Sequence, residues 1–91
     1  MPSGIAFLLE KLDEIERMLQ KTQAGDLERI CAAALVIVVH APSGAISEAA
    51  ATVATAARLW AENPSKADRY KRPLAGAVKS LRKALQGVAT E

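Results

Sequence analysis

Apolar side chains recur at intervals of three and four residues through most of this chain, the spacing that lines one face of an α-helix. Near the start, Ile5, Leu8, Leu12, Ile15 and Leu19 follow that rhythm, and Leu9 widens the seam. Ser3 is a favourable N-cap for this first helix. Its far side is charged, through Lys11, Asp13, Glu14 and Arg17, and the Asp13–Arg17 spacing predicts an ion pair one turn apart. The stretch Thr22–Gly25 is expected to end the helix.

The second apolar stretch behaves differently. A helix from Asp26, its expected N-cap, to about Ala41 collects Leu27, Ile30, Ala34, Ile37 and Val38 on one face. The opposite side should be polar, yet it holds Ala32, Val36 and Val39, with only Glu28, Arg29 and His40 for polar company. A helix that is apolar all round calls for burial all round. One chain this short has few neighbours to supply it.

Pro42-Ser43-Gly44 reads as a turn into a third helix, Ala45 to Glu62. Its inner face carries Ile46, Ala49, Ala50, Val53, Ala57 and Trp60, and its back carries Glu48, Ala51, Thr55, Arg58 and Glu62. Asn63-Pro64 stops it, because a proline disfavours helix at the residue before it. Residues 64–72 are expected to add a short helical turn begun by Pro64. The fourth helix is predicted to open at Pro73, with Leu74, Ala77, Val78, Leu81, Leu85 and Val88 as its core stripe and Gly87 near its end. No sustained strand-like alternation occurs. The expected fold is therefore all-α: one domain over residues 1–91, arranged as a four-helix antiparallel up-down bundle.

Composition sharpens this picture. Half of the 91 residues are hydrophobic, but only Phe7, Trp60 and Tyr70 are aromatic, and alanine fills much of the middle. Helices faced with alanine must approach closely, which leaves little room for a small-molecule pocket near Trp60. A domain this small buries a modest core and commonly gains support from disulfides, a metal or another subunit. Cys31 is the only cysteine and His40 the only histidine. No internal disulfide can form, which fits a reducing, cytoplasmic setting, and a metal cage is disfavoured. The longest apolar run, Cys31–Val39, falls short of the ~20 residues of a membrane span. No membrane segment and no secretory signal is expected. Association with another chain is the remaining source of support.

Candidate chemistry is sparse. Cys31 and His40 are nine residues apart, roughly half a turn of rotation, so they point to opposite sides of the second helix. They form no local thiolate–imidazole pair. His40 fits the last turn of a helix, where the macrodipole favours a cation. Cys31 fits a small apolar filler. The acidic residues Glu10, Asp13, Glu14 and Glu16 are expected on the solvated side of the first helix, and the Glu-x-x-His motif of a bundle di-metal site is absent. No cofactor is implied, and the chain is not expected to be an enzyme.

Charge is unevenly distributed. Residues 1–63 hold five basic against eight acidic side chains, a net −3; residues 64–91 hold seven basic against two acidic, a net +5; together they give the chain its +2. The resulting expectation is a non-enzymatic interaction protein that self-associates, as a two-fold dimer, through Ala32, Val36 and Val39, extended by Phe7 and Met18 on the first helix. Lys71, Arg72, Lys79, Arg82 and Lys83 would then be free for an acidic protein partner. The alternative is nucleic-acid binding through the same five residues, though no DNA-binding motif accompanies them.

Overall fold

A computed structural model shows four helices packed side by side, with residues 4–21 and 24–89 described. The helices are α1 (Gly4–Lys21), α2 (Ala24–His40), α3 (Gly44–Glu62) and α4 (Ala67–Ala89), with a single 3-10 turn over Pro64–Lys66 leading into α4. Each helix packs on its neighbour in sequence, and α1 closes the bundle by its lighter contact with α4. The edge-on meeting of Phe7, early in α1, with His40, at the end of α2, marks those two as antiparallel. Its extents are 41 × 21 × 19 Å.

Most of the core is what the three-and-four spacing predicts, although Ile5, Leu19, Val38 and Ala49 are only partly buried at its margin. Leu8, Leu12 and Ile15 of α1 and Leu27, Ile30, Ala34 and Ile37 of α2 are buried together. Ile46, Ala50, Val53, Ala57 and Trp60 meet them from α3, and Leu74, Ala77, Val78, Leu81 and Leu85 from α4. No polar or charged side chain is buried among the described residues. Alanines sit between the larger groups on α2 and α3, and these two helices share the most extensive contact in the bundle. The expected cap at Ser3 and the side chain of Val88 lie outside the described residues.

Local chemistry explains most helix ends. Ser43 has extended backbone angles and its hydroxyl accepts the Ile46 N–H at 3.4 Å, capping α3. At the other end the Asn63 N–H donates to the carbonyls of Leu59 and Trp60, and its side-chain amide donates to Leu59 as well. Pro64 then enters the 3-10 turn at a position where its missing N–H costs little.

Two helix starts differ from the sequence expectation by two residues or more. Helix α2 begins at Ala24, so Gly25 lies inside it and Asp26 sits in its first turn. An acid there satisfies the helix dipole as well as a cap would, and the sequence pattern does not separate the two. More importantly, α4 opens at Ala67 and runs through Pro73 instead of starting there. Proline removes the bond to the carbonyl four residues back and crowds it. Here Pro73 and Arg69 are both exposed, so water can solvate the freed carbonyl. Meanwhile Ala67, Tyr70, Leu74, Ala77 and Leu81 keep one unbroken apolar line on the inner face and hold both halves against α3.

The expected Asp13–Arg17 ion pair is also replaced. Arg17 donates to the backbone carbonyl of Asp13 at 3.4 Å, while the Asp13 carboxylate turns to Arg82 of α4 at 2.5 Å. Arg82 Nε also donates to Glu16 at 2.8 Å, and its Nη2 bonds the same carboxylate oxygen. Its hydrogen bonds to Glu16 first, then to Asp13, hold the guanidinium's proton affinity above its ordinary value. Two of the four acids expected on a solvated face therefore clasp α4 across the lightest seam of the bundle.

Candidate interaction surface

With the inner face of α2 committed to the core, its outer face is set by geometry. Glu28, Ala32, Leu35 and Val39 step by four, three and four, so they fall within about 60° of one another on the helix. All four are exposed, Leu35 by 51% and Val39 by 77%. These two and Leu59 of α3 are the exposed large hydrophobic residues among those described. The stripe has the spacing of a coiled-coil seam but faces away from its own bundle.

The residues expected from sequence divide accordingly. Ala32 and Val39 lie on this stripe. Val36 lies on its α1 flank and is half-buried. There it shares a shallow groove of about 510 Å3 with Met18, Ala32 and Arg29, rimmed by Lys11, Glu14 and Arg17 of α1. Phe7 is half-buried farther along the same seam, edge-on to His40 at 5.7 Å, with the Lys11 ammonium 5.7 Å from its ring centre. Leu35, at the centre of the stripe, is absent from the sequence-derived set. The signal for it is the 28-32-35-39 spacing itself, which places Leu35 about 160° from Ile37.

A second surface lies between α3 and α4. The back of α3 presents Glu48, Thr52, Thr55 and Leu59 at the same four-three-four spacing. Together with Ala45, Ala49 and Ala56 and with Arg69, Tyr70 and Pro73 of α4, they enclose a groove of about 930 Å3. Its floor is mostly one- and two-carbon side chains. Leu59 is 39% exposed at the end nearest Arg69 and Tyr70. The Thr52 hydroxyl donates to the Glu48 carbonyl at 2.9 Å, so it needs no further acceptor. The buried Trp60 points into the core and lines no part of this groove.

The five basic residues expected to meet an anionic partner do not form one group. Arg72, Lys79 and Lys83 are exposed and lie within about 40° on the outer face of α4. Lys71 and Arg82 align on the flank turned toward α1, and Arg82 is engaged there by Glu16 and Asp13. Among the described residues none of Lys71, Arg72, Lys79 and Lys83 has an ion-pair partner, whereas Lys11 pairs with Glu14 and Arg58 with Glu62.

No grouping of three or more His, Cys, Asp or Glu side chains suited to a metal ion occurs among the described residues. Cys31 is half-buried beside Leu27, Glu28 and Arg58, and His40 is exposed on another side of the helix. No described helix is long and apolar enough to cross a membrane.

Fold and surface together define an all-α four-helix bundle whose second helix carries an unpartnered apolar seam. No protein-family model, no curated protein and no solved structure matches this chain.

Proposed function

We propose that this chain is a non-enzymatic interaction protein that self-associates through the outer surface of α2, with a dimer as its smallest assembly. The observation that carries this reading is the line Ala32, Leu35 and Val39, exposed on a helix whose opposite face is already buried in the core. Covering a Leu or Val side chain contributes roughly 1.5–3 kcal/mol relative to leaving it in water. Single exposed apolar residues are ordinary, whereas larger contiguous apolar surface marks interaction sites, and here Ala32, Leu35 and Val39 share one face. The flanks suit a rim, since Lys11, Glu14 and Arg17 on one side and Arg58 and Glu62 on the other carry both signs of charge.

Leu35→Lys is the sharper probe, because Val36 is partly covered by α1 and its replacement also disturbs the monomer. Light scattering behind a sizing column is expected to show the wild type above 9.6 kDa and Leu35→Lys at that mass, with helicity unchanged. Equal masses for the two proteins would remove the reading.

A second reading rests on a separate observation, the unpaired line of Arg72, Lys79 and Lys83 on α4. It suits an anionic partner, either an acidic protein or a nucleic acid, with Lys71 at its margin and Arg82 largely withdrawn by its two carboxylates. For a nucleic acid, affinity should fall linearly on a logarithmic salt scale with a slope of roughly −0.9 per phosphate neutralised. Absence of any complex with DNA or RNA at low salt would close that branch.

A further inference from the structure

We infer that the outer stripe of α2 seats in the α3–α4 groove of a second copy, so that self-association runs head to tail. The inference rests on the self-association reading above and assigns the surface that receives the stripe.

Spacing comes first. Glu28, Ala32, Leu35 and Val39 on α2 and Glu48, Thr52, Thr55 and Leu59 on α3 share one four-three-four pattern, each spanning about 16 Å of helix. Laid antiparallel, Glu28 falls at Leu59 of the second copy, Ala32 at Thr55, Leu35 at Thr52 and Val39 at Glu48. Leu35, the largest projection on the stripe, meets the stretch floored by Ala49, Thr52 and Ala56, where small side chains leave depth for it. Thr52 can be covered there because its hydroxyl already donates within its own helix.

Charge selects the direction. Arg69 and Leu59 sit together at one end of the groove, since α4 starts just beyond the end of α3; Glu48 lies at the other end, one turn into α3. The antiparallel alignment brings Glu28 to Arg69 and the end of α2 that carries His40 to Glu48. None of Glu28, Arg69 and Glu48 has an ion-pair partner within its own chain among the described residues. The two-fold alternatives offer Glu28 no equivalent of Arg69. Antiparallel pairing of α2 with itself sets Glu28 against Val39 and beside His40, and parallel pairing sets it against another Glu28, a like-charge contact.

Stripe and groove occupy different faces of one bundle, so each copy offers one of each. Such a contact continues until a ring closes or a filament grows.

The test uses two variants of the full chain. Leu35→Lys spoils the stripe and keeps the groove; Thr52→Arg fills the groove and keeps the stripe. Sedimentation velocity is expected to find each alone as a monomer and their equimolar mixture as a one-to-one pair. Circular dichroism establishes that both are folded, and Thr55→Arg replaces Thr52→Arg if the latter is not. A Thr52→Arg protein that associates by itself as the wild type does would overturn the head-to-tail arrangement while leaving self-association standing. A monomeric wild type would overturn both. As a check on direction, Arg69→Glu should weaken association about twofold to fivefold, the upper range of an exposed ion pair, and adding Glu28→Arg should restore it. Failure of that restoration counts against the antiparallel alignment.

Discussion

Helices α2 and α4 each bury one apolar face in the same core, yet they treat their outer faces in opposite ways. On α4 the surface opposite Leu74, Val78, Leu81 and Leu85 carries Arg72, Lys79 and Lys83. On α2 the surface opposite Ile30 and Ile37 carries Ala32, Leu35 and Val39. A charged outer face keeps a helix content in water at almost no cost to packing. An apolar outer face contributes nothing to an isolated bundle and gains value only when covered. The contrast separates what the fold requires from what it does not require, and the second category is where function is sought.

Perturbing the shared inner faces should give the largest effects. Ile37→Ala in α2 and Leu81→Ala in α4, both fully buried, should each cost about 2–5 kcal/mol by chemical denaturation. Parity between these helices is the expectation; a cost below ~1 kcal/mol at either site would place that helix outside the core. Next in size is Pro73→Ala. Restoring the missing N–H within α4 should raise stability by about 1–3 kcal/mol, read as a higher thermal midpoint. No gain would mean that the helix does not continue through residue 73.

Smaller still is the clasp between α4 and α1. Arg82→Met should cost about 1 kcal/mol, since the pair is partly exposed, and the loss should shrink in high salt. A salt-independent loss would point to packing of the arginine stem instead. Smallest are the outer faces themselves. Leu35→Lys and Lys79→Ala should each change monomer stability, measured at high dilution, by less than ~0.5 kcal/mol. Only the first should alter association, and an equal effect of both would dissolve the distinction between the two helices.

Much of this could be read along the chain, because burial in a bundle follows helical spacing directly. The inner stripes of the helices and the turn at Pro42-Ser43-Gly44 needed no tertiary information, whereas the cap at Ser43 came from the structure. The start of α4 did. Local preference at Pro73 argues for a helix beginning, but the line Ala67, Tyr70, Leu74, Ala77 shows that packing on α3 outweighs it. Arg82 was grouped with the other basic residues because sequence gives charge without direction; its partners Asp13 and Glu16 lie 69 and 66 positions away. The apolar excess on α2 was legible as an excess. Which residues embody it depended on where α1 and α3 lie, since α1 shields Val36 and leaves Leu35 bare. The α3–α4 groove was not legible, because Ala45, Ala49 and Thr52 look like ordinary helix formers until two helices frame them.

The claim on which the rest depends is that the bare seam of α2 seeks a second copy of this chain. Sedimentation equilibrium of the wild-type protein from low to high micromolar concentration addresses it without any substitution. The expected average mass rises with concentration from 9.6 kDa to at least twice that value. A mass fixed at the single-chain value across the whole range would contradict it.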